Sequence, residues 1–255
     1  MSLVEALAEL DELARRLRRD CPWDREQTAR TIVPHTVEEA YEVADAALGQ
    51  NDEKLLDELG DLLYQVVFLA LLLEERDEGD LERVARGIHD KLVRRHPHVF
   101  GGEEISTATA VRSRWEGIKR EQEGREGIFH DVPDSLPALL HARKVQRRAA
   151  AVGFEYPDVD AALADLEAEL QELRRELDAA SDERRAAELG DVLFAAVNVA
   201  RGIGADPELE LRRATQRFRD RVEAAERLAS AEGASWQDLP LDVQDRYFDR
   251  AKEAE

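Results

Sequence analysis

The chain contains Glu58-Leu-Gly-Asp-Leu-Leu-Tyr64 and, 130 positions later, the similar stretch Glu188-Leu-Gly-Asp-Val-Leu-Phe194. A Glu-x-x-Glu pair precedes each stretch by the same distance, so four acidic residues recur with every spacing kept. They are Glu39, Glu42, Glu58 and Asp61, here called the first acidic cluster, and Glu169, Glu172, Glu188 and Asp191, the second acidic cluster. The repeat indicates two related halves.

The spacing of these residues points to metal-dependent phosphate chemistry. Acidic residues three positions apart lie on one face of a helix. Two such pairs on facing helices bring four carboxylates together, and their repulsion raises the pKa of each unless a cation neutralises them. Magnesium prefers oxygen ligands and usually bridges the phosphates of a substrate. The pattern therefore predicts Mg²⁺ in each cluster, with Mn²⁺ as a substitute.

Composition indicates helices throughout. Of the 255 residues, 43% are hydrophobic, 36% are charged and only 5% are aromatic, and Ala, Leu, Glu and Arg dominate. These residues favour helices, so we predict an all-α protein of two tandem helical-bundle domains that arise from the internal repeat. The predicted domains are residues 1–121 and 134–255, joined by a linker at 122–133 that contains glycine and proline.

The charge balance excludes some classes of partner. The net charge is −21, from 57 acidic and 36 basic residues, and such a balance repels nucleic acid. The one cysteine, Cys21, excludes an intrachain disulfide and fits a reducing compartment. The chain has no apolar stretch long enough to cross a bilayer, and its first residues lack the pattern of a secretion signal. We therefore predict a soluble, cytoplasmic protein with no nucleic-acid or membrane partner.

Hydrophobic periodicity predicts the individual helices. We expect Pro34 to end a short helix, and a new helix to begin at Thr36 and continue to about Leu48. A long helix is predicted at 53–75, and its strongly apolar run from Leu62 to Leu73 predicts burial on several sides. The other predicted helices cover residues 2–20, 81–95, 107–121, 135–150, 159–179, 182–203, 206–230 and 240–253, with Ser181 and Asp206 as N-caps.

Each acidic pair also has a plainer interpretation. Glu-x-x-Glu occurs as solvated helix surface in so acidic a chain, and Thr36 with Glu39 fits a capping box. Either pair alone favours that structural interpretation. Identical spacing in both halves and the apolar run that follows are not expected of a solvated face, and together they favour a site. Gly60 and Gly190 lie inside the Glu-x-x-Asp pair of each cluster, and a glycine there indicates close backbone approach or room for a ligand.

Basic and aromatic residues also recur in both halves. Cations at helical spacing suit polyphosphate oxygens, although surface arginines are equally common. An aromatic residue with a lysine four positions later can cover a base or ribose and neutralise a phosphate, although such aromatics more often belong to a core. The candidates are Lys91 with Arg95 and Trp115 with Lys119 in the first half, and Arg217 with Arg221 and Phe248 with Lys252 in the second.

Two other features have structural explanations. Trp23 is expected to anchor the N-terminal segment to the core. His96 and His98 flank a proline without a cysteine or further histidine nearby, which favours a loop over a metal site. The sequence also has no Walker-type loop, nucleophile elbow or dinucleotide-binding fingerprint, so the predicted phosphate chemistry depends on carboxylates and metal.

The combined motifs resemble those of MazG, a family of all-α nucleoside triphosphate pyrophosphohydrolases. The resemblance covers nearly the whole chain and rests on Cys21-Pro-Trp-Asp-Arg-Glu-Gln-Thr28, Glu38-Glu39-Ala-Tyr-Glu42, Glu58-Leu-Gly-Asp61, Arg94-Arg-His-Pro-His-Val-Phe100 and Val152-Gly-Phe154. It implies Mg²⁺-dependent hydrolysis of nucleoside triphosphates to monophosphate and pyrophosphate, often with broad base tolerance, in nucleotide-pool cleaning or stress control. It also implies a homodimer of interlocked helical bundles. The family's Glu-Glu-x-x-Glu pattern adds Glu38 to the first half, whereas Ala168 stands at the matching place in the second.

Differences between the halves bear on where catalysis takes place. Seven residues after the last aspartate of the cluster, on the same helix face, the second half has Asn198 and the first has Phe68. Asparagine can bind a ligand, whereas phenylalanine only packs. With the family resemblance, this favours the second cluster as the catalytic one, although Glu38 weighs the other way. Two alternatives stay open, namely a non-catalytic acidic dimer that acts as a regulatory adaptor and a pyrophosphatase restricted to one non-canonical nucleotide.

Overall fold

The computed structural model describes residues 2–49, 51–102, 107, 110–111, 114, 127–129, 132–179 and 181–254. Every regular element in these residues is a helix, which confirms the all-α class. The chain divides into two compact units, Met1–Glu123 and Gly124–Glu255, and the division falls within residues 122–133. Within the described ranges, no helix is long and apolar enough to cross a membrane.

The first unit is organised around a hairpin of two long helices. Its helices within residues 2–102 are α1 (Leu3–Asp20), α2 (Pro22–Glu26), α3 (Ala29–Leu48), α4 (Asp52–Glu74), α5 (Leu81–Arg95) and α6 (Pro97–Phe100). α3 and α4 pack along each other, and α1 packs on α4. Two arginines hold α1 there, because Arg15 and Arg18 each donate two hydrogen bonds of 2.6–2.9 Å to Glu74 and Glu75 respectively.

α3 begins earlier than predicted and continues through Pro34. The prediction that Pro34 ends a helix is wrong, and so is the new start two residues later. Thr28 caps the helix, since its hydroxyl oxygen accepts from the N–H of Thr31 and the Thr31 hydroxyl oxygen accepts from the N–H of Thr28. Proline inside a helix costs about 3 kcal/mol, which this cap and the burial of Ile32 offset. Glu39 therefore lies within a helix and belongs to no capping box.

The apolar run of α4 is buried on several sides in its second half, as predicted, because Val67, Phe68, Ala70, Leu71 and Leu72 are all at most 7% exposed. Phe68 and Leu72 are almost inaccessible and pack with Ile32 of α3 to form the core of this unit. Leu63 and Val66, in contrast, are 41% and 39% exposed. The prediction is therefore wrong only for the first half of the run, which presents apolar side chains to solvent.

The segment between α1 and α3 is held by Asp24 rather than by Trp23. The Trp23 side chain is 53% exposed and contacts the edge of the His35 ring, so the predicted anchoring role is wrong. Asp24 is buried, and its carboxylate accepts a hydrogen bond of 3.4 Å from the Tyr64 hydroxyl of α4. Arg18 donates to the Asp24 backbone carbonyl. Burial and the nearby Asp24 carboxylate raise the pKa of Tyr64 to about 12, which keeps its hydroxyl a donor.

Two predictions for residues 96–121 have different outcomes. The loop predicted at His96 and His98 is instead the short helix α6, which begins at Pro97, and the two imidazole rings lie 5.5 Å apart. The helix predicted at 107–121 lies largely outside the described residues.

The second unit repeats the long hairpin. Its helices are α7 (Ala138–Ala150), α8 (Val159–Ala179), α9 (Asp182–Gly202), α10 (Pro207–Ala231) and α11 (Leu241–Glu253), with a 3-10 turn at Trp236–Asp238. α8 packs along α9, α7 packs on α9 and α10, and α11 packs on α10. The two predicted caps are confirmed, because Ser181 accepts from the Arg184 N–H and Asp206 accepts from two N–H groups of the first turn of α10. Asp206 also forms an ion pair with Arg143 of α7.

We expect Phe68→Ala to lower the stability of the first unit by about 3–5 kcal/mol, because it leaves a cavity beside Ile32 and Leu72. Calorimetric melting measures this loss as a downward shift of the transition of that unit. The matched control is Leu56→Ala, on the same helix at a side chain that is 74% exposed, and it should cost less than about 0.5 kcal/mol. Equal shifts in the two variants would contradict the packing described here.

Candidate functional site

The first acidic cluster lies between α3 and α4. Carboxylate oxygens of Glu39, Glu58 and Asp61 lie within 4.8 Å of one another. Glu42 joins them through a hydrogen bond with the carboxyl group of Glu58. Glu58 is 6% exposed, Glu39 is half-buried and Asp61 is exposed, so the cluster is open to solvent on one side. The hairpin thus brings together four residues that lie up to 22 positions apart in the chain.

Burial and like charges raise the pKa of two members of this cluster. Burial is the main cause for Glu39, followed by the negative charges of Asp61 and Glu42. The pKa of Glu58 is raised by burial, by its hydrogen bond with Glu42 and by the charge of Glu42. The Lys54 ammonium, 3.6 Å from the Glu58 carboxylate, acts in the opposite direction but does not cancel the effect. The cluster therefore holds more negative charge than its surroundings balance.

A cavity of about 670 Å³ adjoins the first cluster, and Lys54, Asp57, Gly60 and Asp61 are among its lining residues. In the described structure, no atom lies within 4 Å of the position that a Cβ would take at Gly60 or at Gly190. Of the two explanations for these glycines, room for a ligand fits the structure. Close approach of another part of the described chain does not.

The second acidic cluster forms in the same way between α8 and α9. Carboxylate oxygens of Glu169, Glu172 and Glu188 lie within 4.8 Å of one another. Asp191 lies close to them, since burial raises the pKa of Glu169 and the charge of Asp191 is the next largest cause, ahead of Glu172. Glu172 is exposed and also lies 3.3 Å from Arg175 of its own helix. Each hairpin therefore carries an equivalent group of carboxylates.

Both clusters have the chemistry of a site for a hard divalent cation. Their donors are all carboxylate oxygens, which Mg²⁺ and Ca²⁺ prefer, whereas soft metals favour cysteine or histidine. The oxygens converge within 4.8 Å and carry unbalanced negative charge. The open side leaves space for the waters that Mg²⁺ retains. The residues that could hold such an ion are Glu39, Glu42, Glu58 and Asp61 in one unit, and Glu169, Glu172, Glu188 and Asp191 in the other.

Asn198 lines a separate cavity of about 270 Å³ in the second unit. Its side-chain oxygen accepts a hydrogen bond of 2.8 Å from Arg201, which also donates two hydrogen bonds to Glu155. Tyr156 lines the same cavity. Burial, a hydrogen bond to Asp165 and the charges of Asp165 and of a cluster residue, Glu169, raise the pKa of Tyr156 to about 12.

Sequence reasoning missed three of the residues at these sites. Lys54 stands four positions before Glu58, a spacing that predicts an ion pair on a helix. Tyr156 follows the family motif at 152–154 by two residues, but nothing local shows that it lies near the second cluster. Arg201 stands one turn after Asn198, and its pairing with a residue 46 positions away is a tertiary contact. Only the first of the three had a usable signal in the sequence.

Two other predicted substrate-binding residues, Glu38 and Phe248, contact side chains outside the acidic clusters. Glu38 is exposed and lies 3.2 Å from His35, although its charge adds to the raised pKa of Glu39. Phe248 packs on Phe218, with ring centroids 5.7 Å apart.

The predicted basic residues that the structure describes lie on helices outside the two hairpins. Lys91, Arg217 and Lys252 are exposed, and in the described part of the chain none of them forms an ion pair with an acidic cluster. Their positions are Lys91 and Arg95 on α5, Arg217 and Arg221 on α10, and Lys252 on α11. Trp115 and Lys119 lie outside the described residues. Substrate binding by all of these residues stays a prediction.

Comparison with known proteins gives the family. The MazG nucleotide pyrophosphohydrolase domain matches residues 27–100, which include the first acidic cluster. The chain is 38% identical over 263 aligned residues to the nucleoside triphosphate pyrophosphohydrolase of Escherichia coli strain K12, and this match covers 100% of the chain and 99% of that protein. This chain belongs to the MazG family.

A second MazG relative gives the same result. The nucleoside triphosphate pyrophosphohydrolase/pyrophosphatase MazG of Thermotoga maritima is 38% identical over 234 residues, which cover 91% of this chain and 89% of that protein. The crystal structure of a mazG-related protein from Thermotoga maritima is 28% identical and covers 45% of this chain and 99% of that one, with a TM-score of 0.40. The whole-length match to the Escherichia coli protein includes both acidic clusters, so the family relationship extends beyond residues 27–100.

The raised pKa of Glu58 predicts how the metal-free protein responds to pH. A carboxyl group whose pKa is raised by folding contributes stability in its neutral form. That contribution is complete below the ordinary pKa of the group and is lost as the pH rises through the raised pKa. We therefore expect Glu58→Gln, which stays neutral, to melt a few degrees above the wild type at pH 7.5 in EDTA, with a smaller difference at pH 4.5.

Scanning calorimetry at the two pH values measures this difference, and Glu12→Gln on the exposed face of α1 is the control for loss of one charge. Addition of Mg²⁺ at pH 7.5 should stabilise the wild type more than Glu58→Gln. A Glu58→Gln variant that is less stable than the wild type at pH 7.5 in EDTA would contradict the electrostatics described here.

Proposed function

We propose that this MazG protein hydrolyses nucleoside triphosphates to nucleoside monophosphates and pyrophosphate in a Mg²⁺-dependent reaction. The Escherichia coli and Thermotoga maritima relatives bear that activity in their names, and 38% identity over most of their length supports it here. The observation that carries the proposal is the convergence of carboxylates in each helical hairpin, because a triphosphate can approach such a group only with a cation.

The second acidic cluster is the proposed catalytic centre. Bound there, Mg²⁺ would neutralise phosphate charge and make a coordinated water more acidic. The carboxylates fix the position of that charge, and their open side faces the incoming phosphates. We propose that Arg217 and Arg221 neutralise the charge of the leaving pyrophosphate. Phe248 is the proposed contact for the base and sugar, and Lys252 for a phosphate.

The difference between the two halves supports this choice of cluster. Asn198 lines a cavity in the second unit, whereas the equivalent Phe68 is part of the core of the first. In the first cluster, Lys54 already lies 3.6 Å from Glu58 and supplies part of the positive charge that a cation would bring. We propose that the first cluster is a structural, regulatory or weakly active metal site, even though it alone has Glu38 beside it.

We also propose that the protein is a homodimer. Leu59 and Leu63 of α4 are 47% and 41% exposed, and the repeat-equivalent Leu189 and Leu193 of α9 are 49% and 52% exposed. Leucines four positions apart lie on one helix face, so each hairpin carries an apolar strip. A second copy of the chain is the proposed cover, and the mass of the protein in solution tests this.

The family resemblance further supports broad base tolerance and a role in nucleotide-pool cleaning or stress control, both of which are proposals for this chain. A cytoplasmic location stays a prediction. Two alternatives are a non-catalytic regulatory adaptor and a pyrophosphatase restricted to one non-canonical nucleotide. The adaptor would release no pyrophosphate, and the restricted enzyme would release it from one nucleotide only.

A panel of nucleoside triphosphates and deoxynucleoside triphosphates tests the activity and the base tolerance together. We expect pyrophosphate and monophosphate from each substrate in Mg²⁺, with kcat/KM values within about tenfold of one another, since tenfold corresponds to only 1.4 kcal/mol of discrimination. EDTA should abolish release and Mg²⁺ should restore it. No pyrophosphate from any substrate would support the adaptor, and release from a single substrate would support the restricted enzyme.

Equivalent substitutions in the two halves test which cluster is catalytic. Glu172→Ala should lower kcat by about 10²–10³, the usual effect of removing one electrostatic group from a catalytic centre. Glu42→Ala, at the same position of the repeat, should keep most of the activity. Circular dichroism checks that both variants are folded, and full activity of Glu172→Ala would overturn the assignment.

A further inference from the structure

One basic residue stands at the same place of the repeat in each hairpin. Lys54 lies four residues before Glu58 on α4, and Arg184 lies four residues before Glu188 on α9. Residues at this spacing share a helix face, so each basic side chain can reach the carboxylate that follows it. The spacing alone would therefore give both acidic clusters the same ion pair.

The two basic side chains nevertheless have different partners. The Lys54 ammonium lies 3.6 Å from the carboxylate of Glu58, whose side chain is almost fully buried. The Arg184 guanidinium instead donates a hydrogen bond of 3.2 Å to the carboxylate of Glu176, near the end of α8. Within the described residues, no ion pair joins Arg184 to the second acidic cluster. A positive charge thus enters the first cluster, whereas its counterpart stays outside the second.

The residue on the facing helix explains this difference. Glu176 is repeat-equivalent to Ala46, which is buried and has no side-chain group that accepts a hydrogen bond. Lys54 therefore finds its acidic partner on its own helix, at Glu58. In the second hairpin, Glu176 is partly buried and offers Arg184 a charge-assisted hydrogen bond across the turn between α8 and α9.

A second cation near the second cluster, Arg175, does not take the place of Lys54. It lies 3.3 Å from Glu172, and both of these side chains are more than half exposed. Water screens an exposed pair of this kind and makes it weak. Glu169 and Glu188 are less exposed than Glu172. Arg175 therefore balances the outermost carboxylate and leaves the two inner ones to another cation.

Asp165 makes the surroundings of the second cluster still more negative. It accepts a hydrogen bond from the Tyr156 hydroxyl, and its charge contributes to the raised pKa of Glu169, one helical turn away. The first half has His35 at this place of the repeat, where the imidazole lies 3.2 Å from Glu38. The second hairpin thus has an additional carboxylate where the first has an imidazole.

We propose that Glu176 is a positioning residue of the second acidic cluster. It holds Arg184 away from the carboxylates, so that a divalent cation takes the place that Lys54 takes in the first cluster. The inference rests on the proposed function for the presence of a cation at the clusters, and it adds what sets their relative affinities. It follows that each chain has one tight cation site, in the second cluster, and one weaker site, in the first.

Titration with Mn²⁺ alone tests this proposal, because electron paramagnetic resonance counts the free ion and needs no nucleotide. We expect a tight and a weak class of site in each wild-type chain. Glu176→Ala should weaken the tight class about fivefold or more, since the released Arg184 charge opposes the cation from a few ångströms away. The double variant Glu176→Ala/Arg184→Ala should regain the wild-type affinity, and Lys54→Ala should strengthen the weak class only.

Glu183→Ala is the matched control, because it removes an exposed carboxylate next to Arg184 on α9. It should change either class by less than about twofold, since solvent and salt screen exposed charges. Circular dichroism establishes that each variant is folded, and Glu176→Gln, which keeps the size of the side chain, replaces Glu176→Ala if the latter unfolds.

Three results would overturn the proposal. The first is an unchanged tight class in the Glu176 variant. The second is a double variant that binds Mn²⁺ as weakly as Glu176→Ala, because Glu176 would then act through its own charge and not through Arg184. The third is equal affinity of the two classes in the wild type.

Pyrophosphate release from nucleoside triphosphates, measured separately, distinguishes failure of this inference from failure of the proposed function. A chain that binds Mn²⁺ as described but hydrolyses no nucleoside triphosphate would refute the proposed function alone. Hydrolysis as proposed, together with an unchanged tight class in Glu176→Ala, would refute the role of Glu176 alone. A wild type that binds no Mn²⁺ would overturn both.

Discussion

Repulsion among carboxylates that one helical hairpin forces together is the constraint on which the rest of this structure depends. Glu58 is buried at a point where Glu39, Glu42 and Asp61 converge on it, and the raised pKa values of Glu39 and Glu58 express the resulting cost. The hairpin tolerates this cost because an apolar contact between the same two helices lies two turns away, at Ile32 and Phe68. A cation removes the repulsion, which links metal binding to the stability of the hairpin.

The repeat preserves this constraint in both halves but not the contact that supports it. Glu169 has a raised pKa for the same reasons as Glu39, namely burial and the charge of the aspartate on the facing helix. Two turns away, however, Phe68 is replaced by Asn198, and the surroundings change from apolar packing to a hydrogen-bonded cavity. Conservation of the carboxylates with divergence of their neighbours is what we expect if both halves bind cations but have different roles.

Local patterns explain which structural predictions succeeded. Ser181 and Asp206 cap the helices that the sequence assigns to them, because capping depends on a few adjacent residues. The predictions for Pro34 and Trp23 were wrong, because both outcomes also depend on tertiary contacts. A strong cap at Thr28 and the burial of Ile32 keep the helix intact through Pro34, and Asp24 with Tyr64 holds the segment that Trp23 was expected to anchor.

The same distinction applies to the candidate site. Equal spacing was enough to predict which carboxylates converge, since a shared helix face and a short hairpin leave little freedom. The cavity at Asn198 could not be predicted in that way. It depends on the absence of bulk at Ala162 of the facing helix and on Arg201, whose partner Glu155 precedes α8. Neither feature has a local signal in the sequence. Once the packing of Ile32 and Phe68 is known, however, the repeat offset of 130 residues shows that the small residue Ala162 takes the place of Ile32.

The second hairpin lacks the apolar contact that Ile32 and Phe68 form in the first, and other interactions hold it. Val159 approaches Gly202 closely, Arg201 ties the end of α9 to Glu155, and the Gln146 side chain of α7 donates a hydrogen bond of 2.8 Å to the Phe194 carbonyl of α9. Contacts of this kind hold α9 against α7 and against the start of α8 without filling the space between α8 and α9, whereas a large side chain would also fill it.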